Sequence, residues 1–114
     1  MKNLVSIFAG HDANISFYNA KTNKYYTIEI ERLVQKRYFR LHVDNDAQYQ
    51  KEILERCRDI AESEWGIEND YEAVLVSSDG FVQTDLREIF NTQKMTTVAS
   101  CLLYTSDAAD DELG

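Results

Sequence analysis

The sequence predicts an α/β fold built on a mixed five-stranded sheet, with elements in the order β-β-β-α-β-α-β. Three observations carry that expectation. Near-continuous apolar stretches at 4–9 and 73–76 read as buried strands. The segment 14–18 alternates apolar and polar residues with a period of two. The segment 48–65 repeats its apolar residues every three to four positions, which is the period of a helix.

Taken in order, Leu4, Val5, Ile7, Phe8 and Ala9 form a first strand that ends at Gly10. In the second, Ile15 and Phe17 alternate with Asn14, Ser16 and Tyr18, so the two apolar side chains are expected to face the core. A polar turn at 19–24 leads into a third strand over 25–30. Short strands joined by short loops make an antiparallel meander. The basic, aromatic stretch 32–43 has no period and reads as irregular. Asp44 or Asp46 can cap the helix that follows. Ile53, Leu54, Cys57, Ile60, Ala61 and Trp65 make its apolar face, and Gly66 stops it. Its other face carries Glu52, Glu55, Arg56, Arg58, Asp59 and Glu62. A fourth strand over 71–78 closes at Asp79 and Gly80, a short helix spans 85–90, and a fifth strand spans 95–99.

That order is the order of the ribonuclease H-like unit, which also builds each half of the actin-like ATPase fold. Helices covering the faces of its sheet would bury strands 1 and 4. The architecture serves kinases, chaperone ATPases, nucleases and carbamoyl transferases, so order alone names no reaction.

A chain of 114 residues suffices for one core, and 44% hydrophobic with 28% charged residues is ordinary for a soluble domain. No apolar run approaches a membrane span and no basic, then apolar leader opens the chain, so the cytoplasm is the expected compartment. A net charge of −8 disfavours nucleic acid or an anionic membrane as partner, since either calls for a basic face. Half of that excess comes from Asp107, Asp110, Asp111 and Glu112 near the C-terminus. Cys57 and Cys101 have no metal or redox spacing, and no disulfide is expected.

The tail has its own signature. Residues 101–110, Cys-Leu-Leu-Tyr-Thr-Ser-Asp-Ala-Ala-Asp, resemble the in-frame translation of a transposon-end adapter used to build DNA sequencing libraries. Residues 101–114 are therefore expected to be non-native, with the natural reading frame continuing past Ser100.

Three short segments could carry chemistry. Gly10-His11-Asp12-Ala13-Asn14 follows the first strand directly. A glycine there permits close backbone approach to phosphate, and a histidine can move a proton near neutral pH. The plain alternative is a turn in which Asp12 bonds local amides and His11 is solvated. Glu29-Ile30-Glu31-Arg32 ends the third strand; Glu31 and Arg32 are either a surface ion pair there or a clamp beneath a nucleotide. Ser77-Ser78-Asp79-Gly80 ends a buried strand, where open α/β sheets gather ligands, or is a simple exit turn.

The Gly-His-Asp-Ala motif after a Leu-Val-Ser-Ile strand resembles the opening signature of the nodulation- and antibiotic-type O-carbamoyltransferases. In that family a hairpin follows, then a Glu-Glu-Glu-Arg-type segment and basic residues; here Glu29–Arg32 and Lys36-Arg37 fall in those places. Ile30 replaces the middle acid, and Tyr38 stands where a histidine often follows, with His42 nearby. By motif the resemblance covers residues 1–45, and by element order it extends to Ser100. It implies that 1–100 are an incomplete actin-like N-terminal domain of an enzyme that makes carbamoyl adenylate from carbamoyl phosphate and ATP. The carbamoyl group then passes to a small-molecule hydroxyl acceptor. The resemblance gives His11 and Asp12 catalytic roles and puts Gly10, Glu31 and Arg32 on the nucleotide side. It also implies a divalent metal whose ligands lie beyond this chain, and an inactive stretch when the remainder is missing.

Other readings compete. A metal-dependent nuclease of ribonuclease H-like type would use Asp12, Glu31 and Asp79 as metal ligands. A small non-catalytic α/β binding domain requires a native tail. A sugar-kinase-like ATPase needs a glycine-rich phosphate hairpin, and the chain holds only four glycines.

Overall fold

The computed structural model describes residues 2–10, 12–37, 39–41, 46–77 and 85–98. The strands are β1 (Asn3–Phe8), β2 (Asn14–Asn19), β3 (Lys24–Glu29), β4 (Tyr71–Ser77) and β5 (Met95–Val98). They form one sheet in the order β3-β2-β1-β4-β5. β1/β2 and β2/β3 are antiparallel, whereas β1/β4 and β4/β5 are parallel. The expected α/β class, the meander and the mixed sheet are all present.

Three helices join the strands: α1 (Ile30–Val34), α2 (Ala47–Trp65) and α3 (Leu86–Phe90). α1 departs from the sequence reading, which ran the third strand through Ile30 and left the next residues irregular. Ile30 is instead the first helical residue and is fully buried, so its side chain leaves the strand to plug the core. Gln35, at φ +59, ends the helix after one turn. The irregular stretch also supplies the core anchors Phe39 and Leu41, and Phe39 packs edge-on against Tyr49.

α2 follows the expected pattern closely. The Asp46 carboxylate accepts the amide of Tyr49 at 2.9 Å, a side-chain cap for an otherwise orphaned donor. Gly66, at φ +64, closes the other end, and its amide donates to Ala61. Ile53, Leu54, Cys57 and Ala61 are buried as expected. Gln50 is also fully buried, where it donates to the Leu41 carbonyl at 3.1 Å. Arg58, read as surface, is half-covered and reaches the Ile89 carbonyl at 3.3 Å.

The core lies on one face of the sheet. Val5, Ile7, Ile15, Phe17, Val74 and Val76 meet α2 together with Leu86, Ile89 and Phe90 of α3. The expectation of helices on both faces is not met among the described residues. The reason is topological: the crossovers β3 to β4 and β4 to β5 run in the same direction across the sheet. Their common right-handed sense then sets α2 and α3 on the same side. The opposite face carries the alternate residues Leu4, Ser6, Phe8, Asn14, Ser16, Tyr18 and Thr27. None of the helices in the described residues is long and apolar enough to cross a membrane.

Candidate functional site

β1, β3 and β4 run parallel to one another, so their carboxyl ends share one end of the sheet, where open α/β folds gather ligands. A cavity of about 430 Å³ opens there, lined by Asp12, Ala13, Asn14, Ser16, Thr27, Glu29 and Glu31.

The chain builds this cavity by hydrogen bonds between two distant segments. After β1, Asp12 takes a left-handed conformation at φ +63, which an aspartate tolerates better than most residues. The Asn14 side-chain amide donates to the Asp12 carbonyl at 3.1 Å and holds the turn. Ala13 is buried, and its carbonyl accepts the amide of Ile30 at 3.0 Å. Asn14 then pairs directly with Glu29 across the β2/β3 ladder. One step further along, the Ser16 and Thr27 hydroxyls share a hydrogen bond of 2.9 Å. The two segments singled out in the sequence are thus neighbours on adjacent strands.

The individual residues sort as follows. Asp12 is exposed and Glu31 half-buried, both on the cavity wall. Gly10 is buried at the end of β1. Arg32 does not pair with Glu31. Its Nε donates to the Glu29 carboxylate at 2.9 Å, and both side chains are largely exposed, so the pair adds little stability. The position also differs from expectation, since Glu31 and Arg32 lie in α1 rather than at a strand end. Ser77 is the last residue of β4. His11, Tyr38, His42, Asp44, Ser78, Asp79, Gly80 and residues 101–114, including Cys101, lie outside the described residues.

Sequence reasoning missed two wall residues, Ser16 and Thr27, and gave Asn14 and Glu29 no role of their own within their segments. The signal was present, because the alternation that sends Ile15 and Phe17 inward must send Asn14 and Ser16 to the other face. What the single strand could not supply was the partner register that brings Thr27 alongside Ser16.

The wall has a definite chemistry. It offers three carboxylates, two hydroxyls and a side-chain amide, and among the described residues no lysine or arginine lines it. Such a surface accepts hydrogen bonds from hydroxyl or amino groups and repels a bare polyphosphate. Among the described residues no three histidine, cysteine, aspartate or glutamate side chains converge as a metal site.

Cys57 takes no part in this chemistry. It lies in the core, where burial pushes its thiol up to about 12 despite the nearby Arg56. The Tyr71 phenol is raised further by burial and by the Glu62 charge, and its hydroxyl has no hydrogen-bond partner among the described residues. No protein-family model, curated protein or solved structure matches the chain.

Proposed function

We propose that residues 1–100 form the N-terminal part of an O-carbamoyltransferase, and that the cavity at the end of β1 belongs to its transfer centre. The observation that carries this reading is the meeting of Asp12 and Ala13, from the Gly-His-Asp-Ala motif, with Glu29 and Glu31, from the Glu-Ile-Glu-Arg segment, at one cavity, tied by the Ile30 amide to the Ala13 carbonyl. The resemblance rests on those same two segments.

In this reading the acceptor hydroxyl attacks the carbamoyl carbon of carbamoyl adenylate. A new C–O bond forms, the bond to the adenylate phosphate breaks, and AMP leaves. The hydroxyl proton passes to a base, a role the resemblance gives to His11. Asp12 orients that base or the acceptor, and Glu31 completes the polar wall. Gly10 lets the turn lie close beneath the reacting groups, and Arg32 fixes Glu29. The acidic, hydroxyl-bearing lining favours the acceptor side of the reaction. Phosphate charge then falls to groups outside this cavity, and no step is routed through a metal held by this stretch.

The test is an assay of the natural reading frame continued past codon 100. Labelled carbamoyl phosphate, ATP and a panel of hydroxyl acceptors are supplied, and label is followed into the acceptor. ATP-dependent labelling that is lost in Asp12→Asn and Glu31→Gln supports the reading. A frame that stops after Gly114, or a longer protein that moves no label, overturns it.

A further inference from the structure

β3 lies at the edge of the sheet, and its backbone has a definite hydrogen-bonding phase. The Ile30 amide points at Ala13 on the β2 side. Because the outward direction alternates along a strand, Ile28, Tyr26 and Lys24 also turn their backbone groups toward β2. Tyr25, Thr27 and Glu29 therefore turn theirs away from the sheet. Among the described residues no hydrogen bond reaches these outward groups, except that Glu29, as the residue capping α1, gives its carbonyl to the first helical turn.

Two of the usual devices that prevent pairing are missing from this edge. Its register against β2 is continuous over six residues, and it contains no proline or bulge. Tyr25 is 75% exposed beside it. The two charges on it, Lys24 and Glu29, cancel, although the whole chain is strongly acidic.

We propose that a second copy of this chain pairs along β3, giving a two-fold dimer with a continuous ten-stranded sheet. Pairing across a two-fold axis sets outward residues against outward residues, which leaves two central registers. With Thr27 on the axis, Thr27 faces Thr27 and Tyr25 faces the partner's Glu29. Tyr26 then lies opposite the partner's Ile28, at the closely spaced kind of position where aromatic and β-branched side chains pack well. Both side chains already pack on the rim of the core, so this register extends the apolar layer across the join. The alternative register sets Lys24 against Ile28 and breaks that layer. The Thr27 pair exchanges two hydrogen bonds, and each Glu29 amide reaches the partner's Tyr25 carbonyl. On the outer face each Arg32, held by Glu29, comes beside the partner's Tyr25 ring. The proposal is independent of the carbamoyltransferase reading.

Sedimentation of the 114-residue chain across a concentration series, with amide hydrogen exchange on the same samples, tests it. The expected result is a reversible shift to twice 13.2 kDa, with the Thr27 and Glu29 amides exchanging about ten-fold more slowly in the dimer. Thr27→Pro removes the outward donor, which an edge strand tolerates, and returns the chain to monomer. If that variant fails to fold, the wild-type exchange pattern decides alone. A monomer at every concentration, open-ended aggregation, or a dimer in which those two amides stay fast overturns the proposal.

Discussion

Ile30 donates its amide to the Ala13 carbonyl at 3.0 Å while its side chain is fully buried. The backbone of this residue joins the helix after β3 to the turn after β1, and its side chain joins both to the core. The geometry of the cavity therefore depends on packing behind it as much as on the polar residues that line it.

Ile30→Ala should accordingly do two things. Loss of a fully buried isoleucine should cost about 2–5 kcal/mol of unfolding free energy, read as a shift in the urea midpoint at constant m value. The amide resonances of Asp12, Ala13 and Asn14 should move at the same time. A stability loss that leaves those three resonances in place would separate the turn from the core and refute the coupling.

The buried Cys57 thiol and Tyr71 phenol set an alkaline limit on stability. Both are acids raised in the folded state, so between the unfolded and folded values the folded chain holds the proton that the unfolded chain has lost. Unfolding then releases protons, and stability falls as pH rises. For Cys57 the window runs from 9.0 to about 12, and Tyr71 begins to contribute above 10.0. Stability from these groups is fully present at neutral pH. Each should remove at most about 1.4 kcal/mol per pH unit within its window. Urea titrations at neutral and alkaline pH check this, and Cys57→Ala should flatten the first part of the decline whatever its effect at neutral pH.

How far the fold can be read from the sequence depends on whether the information is local. The α2 pattern, its Gly66 stop and the inward Ile15 and Phe17 are periodic signals, and each side chain's fate follows from its neighbours in the chain. Ile30 is different. As the sixth residue of an alternating run it looks like strand, and its amide does continue the ladder to Ala13, yet the chain turns into a helix at that residue. Gln50 reads as surface by residue type, yet it is buried because the Leu41 carbonyl, nine residues earlier, gives its amide a partner. The site divides in the same way. The motif segments carry Asp12, Asn14, Glu29 and Glu31, whereas Ser16 and Thr27 reach the cavity through strand register, which two separated segments do not encode individually.

Gly66 tests the local part of that account. Its φ is +64, and a Cβ built there would meet nothing within 4 Å, so any cost of substitution comes from the backbone alone. Gly66→Ala should cost about 1–2 kcal/mol from the left-handed conformation, partly offset by a more restricted unfolded chain. Gly66→Asn should cost less, because asparagine accepts that conformation more readily. Equal losses for the two variants would point to a contact other than backbone conformation.

Asp12 offers the cleanest separation of chemistry from folding. Its side chain is exposed, its backbone is left-handed, and the bond that holds the turn is accepted by its carbonyl rather than its carboxylate. Asp12→Asn keeps the left-handed backbone preference and the shape while removing the charge, so the turn should persist, read as little change in the Ala13 and Asn14 amide resonances. Carbamoyl transfer by the continued reading frame should fall at least about 100-fold if the carboxylate orients the base or the acceptor, in keeping with general-base catalysis. Asp12→Ala should lose the same activity but also some stability, since alanine at positive φ is strained. Asp12→Asn with full transfer activity would remove this carboxylate from the mechanism and leave it as a turn residue.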